Sequence, residues 1–152
     1  MGTRELDKLL YVVDDTFAYD TGGGAHTVGT LPTLGQTGRC RFVQYNVGDA
    51  VYTILTDGVN RIAWDGTTIT DLSSIAKTAS TLVVSYAGRL FWAVGKTINA
   101  SKTTTINDYD TLVGDDTDSW TLTLSQIQES IVAMSAYNSH VQLFTQNALY
   151  EI

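Results

Sequence analysis

VYTILTDGVNRIAWDGTTITDL, residues 51–72, is the stretch whose reading decides the fold. Val51-Tyr52-Thr53-Ile54-Leu55 is β-branched and aromatic, as a pleated, half-buried strand favours. Asp57-Gly58-Val59-Asn60 interrupts it with turn chemistry: Gly accepts positive φ, and an Asp side chain bonds its own backbone two residues on. Arg61-Ile62-Ala63-Trp64-Asp65 reads as a second strand with Ile62 and Trp64 on one face. Asp65 followed by Gly66-Thr67 reads as a two-residue hairpin turn, and Thr68-Ile69-Thr70-Asp71-Leu72 alternates as a third strand. A meander of this size cannot bury its apolar face alone.

Outward from it, the pattern recurs. Towards the N-terminus, Leu9–Val13, an Asp14-Asp15 turn, Phe17–Asp20, the Gly22-Gly23-Gly24 run and His26–Leu31 repeat its order: strand, Asp turn, aromatic-Asp, Gly, Thr-rich strand, Leu. Arg39–Tyr45 adds a leading strand to residues 51–72. The same lead-in returns as Thr81–Tyr86 before Arg89–Val94, and as Ser130–Tyr137 before His140–Thr145. Tyr45, Tyr86 and Tyr137 take equivalent places before the turn, 41 and 51 residues apart. A four-stranded unit recurring every ~40–45 residues is the mark of a β-propeller blade. The expected fold is therefore all-β and propeller-like over residues 1–152, with copies at roughly 9–31, 39–72, 80–124 and 130–152. The first copy lacks a leading strand and the last stops before its fourth. That makes about three to four blades, where propellers close at roughly 4 to 8. Bare strand edges recruit other strands, so further copies or additional chain are expected to complete the arc.

Composition narrows the function. Of 152 residues 43% are hydrophobic and 16% charged, enough apolar content for a core. No window has the roughly 18 uncharged apolar residues of a membrane span, and Met1–Glu5 lacks a signal peptide's apolar core. A net charge of −7 with nine scattered basic residues argues against gripping a phosphate backbone, which needs clustered Lys and Arg.

Candidate chemistry is sparse. Cys40 is alone, so no internal disulfide forms, and it reads as a small buried hydrophobe in an apolar strand. His26 and His140 read as exposed or turn residues. Asp115, Asp116 and Asp118 could offer oxygens to Ca²⁺ but lack the fixed carboxylate offsets and bidentate Glu of a calcium loop, so they read as a solvated loop. Gly22-Gly23-Gly24 lacks the Lys-Ser/Thr of a phosphate loop and reads as a hairpin tip. Trp64 and Trp92 lie within apolar strands and read as inter-blade packing; Trp120, after the acidic loop, reads as the most exposed of the three. No catalytic, metal or cofactor site is expected.

The series Leu10-Tyr11-Val12-Val13, Tyr19-Asp20, Val28–Leu31, Gly38-Arg39, Asp57-Gly58, Trp64-Asp65-Gly66, Tyr86–Phe91, Trp120 and Asn147–Ile152 resembles tailed-phage virion proteins with propeller-like domains. These are head–tail and tail-accessory proteins that plug or extend the portal and stabilise packaged DNA. The resemblance implies a non-enzymatic structural component of the tail or head–tail connector, made in a bacterial host's cytoplasm and resident in the virion. Its partners would be further copies or other virion proteins, with neither nucleic acid gripped nor membrane engaged. The alternative is a carbohydrate-binding propeller assembled from identical short chains, with Trp and Tyr as stacking platforms.

Overall fold

The computed structural model describes residues 8–32, 39–72, 80–103, 106 and 119–152. Over these residues the fold is all-β and propeller-like, built of four antiparallel sheets without a closed barrel. The first sheet holds β1 (Leu9–Val13), β2 (Thr16–Asp20) and β3 (Ala25–Thr30). The second holds β4 (Arg41–Val47), β5 (Ala50–Thr56), β6 (Arg61–Trp64) and β7 (Ile69–Asp71). The third holds β8 (Leu82–Tyr86), β9 (Arg89–Val94), β10 (Thr97–Ala100) and β11 (Trp120–Thr123). The fourth holds β12 (Ala133–Tyr137), β13 (His140–Phe144) and β14 (Leu149–Glu151). Within each sheet the strands follow chain order, and β4, β8 and β12 lie against one another in series.

Local chemistry accounts for the turns. Asp14-Asp15 and Ala87-Gly88 have positive φ at both positions, the mirror-image turn whose twist matches paired strands. Four-residue loops are instead headed by a side-chain acceptor. Asp57 Oδ1 takes the N–H groups of Val59 and Asn60 at 2.9 and 2.6 Å. Asp65 Oδ1 does the same for Thr67 and Thr68 at 2.8 and 2.7 Å. Regular strand pairing ends at Trp64↔Ile69, and the Asp65 N–H donates to the Thr68 carbonyl at 3.3 Å, so the expected Gly66-Thr67 turn forms the tip of this loop.

Each pair of consecutive sheets encloses one apolar cluster. Phe17, Leu31, Leu55, Ile62 and Trp64 fill the first interface. Tyr45, Ile54, Ala63, Leu72, Leu90 and Trp92 fill the second. The third centres on Val84, Phe91, Ile98, Ile131, Val141 and Leu143. Each fully buried Val, Leu, Ile or Phe side chain contributes about 1.5–3 kcal/mol, so the sheets are held mainly face to face.

Register shows which strands correspond. Leu9–Phe17, LLYVVDDTF, matches Leu90–Ile98, LFWAVGKTI, position by position. Both hairpins have two-residue turns, and in both the penultimate pair, Val12↔Phe17 or Ala93↔Ile98, packs towards the following sheet. β1 is therefore the counterpart of β9, the second strand of its sheet. At the far side of that sheet, a Cβ added to Gly29 in β3 would lie 2.7 Å from Ile69 Cδ1 in β7, which puts outer strand against outer strand. The first sheet has no strand corresponding to β8 among the described residues, and the fourth none corresponding to β11.

Three local expectations need correction. Tyr45 faces Tyr52, two pairs before the Gly48-Asp49 turn, whereas Tyr86 and Tyr137 hold the last pair; β4 is longer, and the two-residue offset keeps the same face. The lead-in at 130–137 pairs as a strand only from Ala133. Cys40 precedes β4 and is half-buried, not enclosed in a strand.

Candidate functional site

Chemistry-bearing side chains are dispersed. His26 lies in β3, exposed and stacked on Tyr19 with ring centroids 5.0 Å apart; His140 opens β13 in the fourth sheet, also exposed. Desolvation, reinforced by Asp57 and Asp15, pushes the Cys40 thiol above its ordinary range and holds it protonated, the less nucleophilic form. Among the described residues no three His, Cys, Asp or Glu side chains converge as metal ligands. Asp115, Asp116 and Asp118 lie outside the described residues. The tip at Gly22-Gly23-Gly24 is tied down, with the Gly22 and Gly24 N–H groups donating to Asp20 Oδ1 at 2.6 and 3.2 Å.

The three tryptophans all pack. Trp64 is 4% exposed, edge-on to Phe17 at 5.5 Å and stacked on Tyr19 at 5.5 Å. Trp92 is buried under the Arg61 guanidinium, 4.6 Å from the ring centroid. Trp120, expected to be exposed, is half-buried and T-shaped against Phe91 at 5.6 Å; β11 turns it back onto the third core.

What stands out is surface left open at the ends of the stack. β1 is apolar on both faces, the pattern of a strand covered on both sides. Leu10 and Val12 pack towards the second sheet, while Leu9 is 68% exposed and Val13 57%. Leu9, Tyr11 and Val13 are the counterparts of Leu90, Trp92 and Val94, and Leu90 and Trp92 are buried against the preceding sheet. At the other end, Val141 and Leu143 face inward, so His140, Gln142 and Phe144 alternate outward beside Tyr137, which is 61% exposed. Leu149 joins them, and Gln142 Nε2 donates to Glu151 Oε1 at 2.9 Å. This outer face is more polar than that of the first sheet.

Between the first two sheets, beside the edge of β1 that no strand among the described residues pairs, lies a half-open cavity of about 560 Å³. Leu10 lines one wall and Gln44, Val51, Thr53 and Trp64 the other. Gln44, Thr53 and Trp64 are in register across β4, β5 and β6. Lys8 sits at its rim with Nζ 4.9 Å from the Tyr19 ring and 5.1 Å from that of Trp64, a cation–π arrangement. The buried Trp64 Nε1 has no hydrogen-bond partner among the described residues.

No protein-family model matches the chain, and neither the curated proteins nor the solved structures give a match. The open faces and the cavity are legible in sequence only in part. LLYVV is apolar without alternation, which signals cover on both sides, but the cavity arises from a strand position no residue pattern marks.

Proposed function

We propose that the chain is a non-enzymatic structural component of a phage-like virion, at the tail or head–tail connector, and that it works by subunit–subunit assembly. One observation carries the assembly: Leu9, Tyr11 and Val13 repeat the face that Leu90 and Trp92 bury against a neighbouring sheet, yet no described sheet covers them. Contiguous exposed apolar surface marks interaction sites, and Leu9 and Val13 are exposed on this face with Tyr11 half-buried between them. The particle context is supported by the resemblance of the strand and turn motifs to tailed-phage virion proteins. The carbohydrate reading draws no support from the tryptophans, whose rings are taken up by packing.

Native mass spectrometry of the purified chain tests the assembly. Species heavier than the 16.5 kDa monomer are expected, reverting to monomer in Leu9→Asp/Val13→Asp. Both positions are exposed, so circular dichroism of that variant should match the parent. A parent that stays a dispersed monomer overturns the reading. Peptide mass fingerprinting of purified particles from the source, or the position of the gene among head and tail genes, tests the virion context.

A further inference from the structure

The geometry points to strand addition: the groove between the first two sheets receives an extended segment of another polypeptide, which pairs with β1 as the leading strand of the first sheet. The inference rests on the reading that other chains complete the arc, and it names how one of them engages.

β1 corresponds to β9, and β9 is paired on its inner side by β8. The β8–β9 register sets Leu82 against Ala93, Val84 against Phe91 and Tyr86 against Arg89. Ala93, Phe91 and Arg89 correspond to Val12, Leu10 and Lys8. A strand of β8 type laid along β1 would place its leucine, valine and tyrosine over Val12, Leu10 and Lys8, with the side chains turned towards the second sheet. The cavity opens there, and its far wall carries Gln44, Val51 and Thr53. Val51 is 52% exposed, an apolar floor without a roof. The innermost strands β4, β8 and β12 already lie in series, and the added strand extends that row by one place. Strands sit about 4.8 Å apart within a sheet and sheets about 10 Å apart, so a groove flanked by a facing sheet and an edge that no described strand pairs is shaped for one strand. The partner chemistry follows: four to six extended residues, apolar at alternate positions, with main-chain groups giving affinity and the alternate side chains specificity.

The probe is a synthetic, fluorescein-labelled peptide of residues 80–86, STLVVSY, titrated with the full chain by fluorescence polarisation. Saturable binding is expected. A Val84→Pro peptide, which loses an amide donor and cannot hold the ladder, should bind about tenfold more weakly or worse. Val51→Arg in the chain, at a solvent-open position, should weaken binding by a similar factor of about ten while leaving the circular dichroism unchanged. Absence of saturation overturns the inference, whether the groove is closed by the chain's own segments or by a second copy. Equal binding of the proline peptide also overturns it, because strand pairing would then play no part. Failure of the peptide alongside intact assemblies in native mass spectrometry sinks strand addition alone; peptide binding by a chain that never assembles with itself or with particle proteins sinks the assembly reading alone.

Discussion

Asp57 concentrates much of the local order of the second sheet in one side chain. It is 3% exposed and accepts from the N–H groups of Val59 and Asn60 through one oxygen, and from Asn60 Nδ2 at 2.7 Å through the other. Asn60 is itself fully buried, so removing the acceptor takes away a buried partner of its backbone and side-chain N–H groups. Asp57→Ala should therefore cost about 1–3 kcal/mol, read as a lower midpoint in urea with unchanged m. Two exposed carboxylates contribute to the acid response. The backbone N–H groups of Thr68 and Thr67 hold the Asp65 carboxyl below its ordinary range, and the Thr145 hydroxyl, followed by Asn147, does so for Glu129. A carboxylate depressed in the folded state stabilises above its unfolded value, and that stability is lost as pH falls through the folded one. The thermal midpoint should thus decline as pH drops below about 4, and the decline should be shallower in Asp65→Asn/Glu129→Gln. An unchanged slope in that variant would mean that neither loop contributes.

Among elements, the outer edges of the first two sheets approach closely at Gly29. Gly29 in β3 faces Phe17 at a register shift and has the Ile69 methyl against it. Gly29→Val should overpack the site and cost about 1–3 kcal/mol, whereas Gly23→Ala, with open space around it and no positive φ, should fall within about 0.5 kcal/mol of the parent. Chemical denaturation of the two side by side checks the contrast. Strand existence was legible because period-two alternation, Asp-Gly pairs and β-branched runs all act within a few residues. The limits of that reading are local too. At the Gly66-Thr67 tip the Asp65 carboxylate takes two backbone donors and the strand ladder stops one pair early, at Trp64↔Ile69, a detail that dipeptide signals do not show. The match of Leu9–Phe17 to Leu90–Ile98 became decisive only with the faces assigned, since a face is defined by the neighbouring sheet and not by the strand. Trp120 looked exposed beside acidic residues and is drawn in by Phe91, a partner from another strand of its sheet. The cavity beside β1 had no sequence signal, because it is shaped by the spacing between two sheets.

For the whole molecule, the balance between charge and apolar surface governs association. Each chain carries −7, so copies repel at low ionic strength, while Leu9, Tyr11 and Val13 favour contact. At 0.15 M salt the screening length falls to about 8 Å, and sulfate strengthens apolar burial further. Sedimentation velocity should show assemblies growing with added sodium sulfate; dissociation by salt would point to an interface held by ion pairs instead. The two terminal faces also differ in kind, one an apolar stripe and the other mixed with Gln142 and Glu151. Contact between unlike patches has direction, like links in a chain, and each docking event presents the next patch afresh. Whether such growth shuts into a circlet or runs on as a fibre depends only on the angle one sector adds, so a change of a few degrees between sheets would convert a particle of fixed size into a polymer of unlimited length.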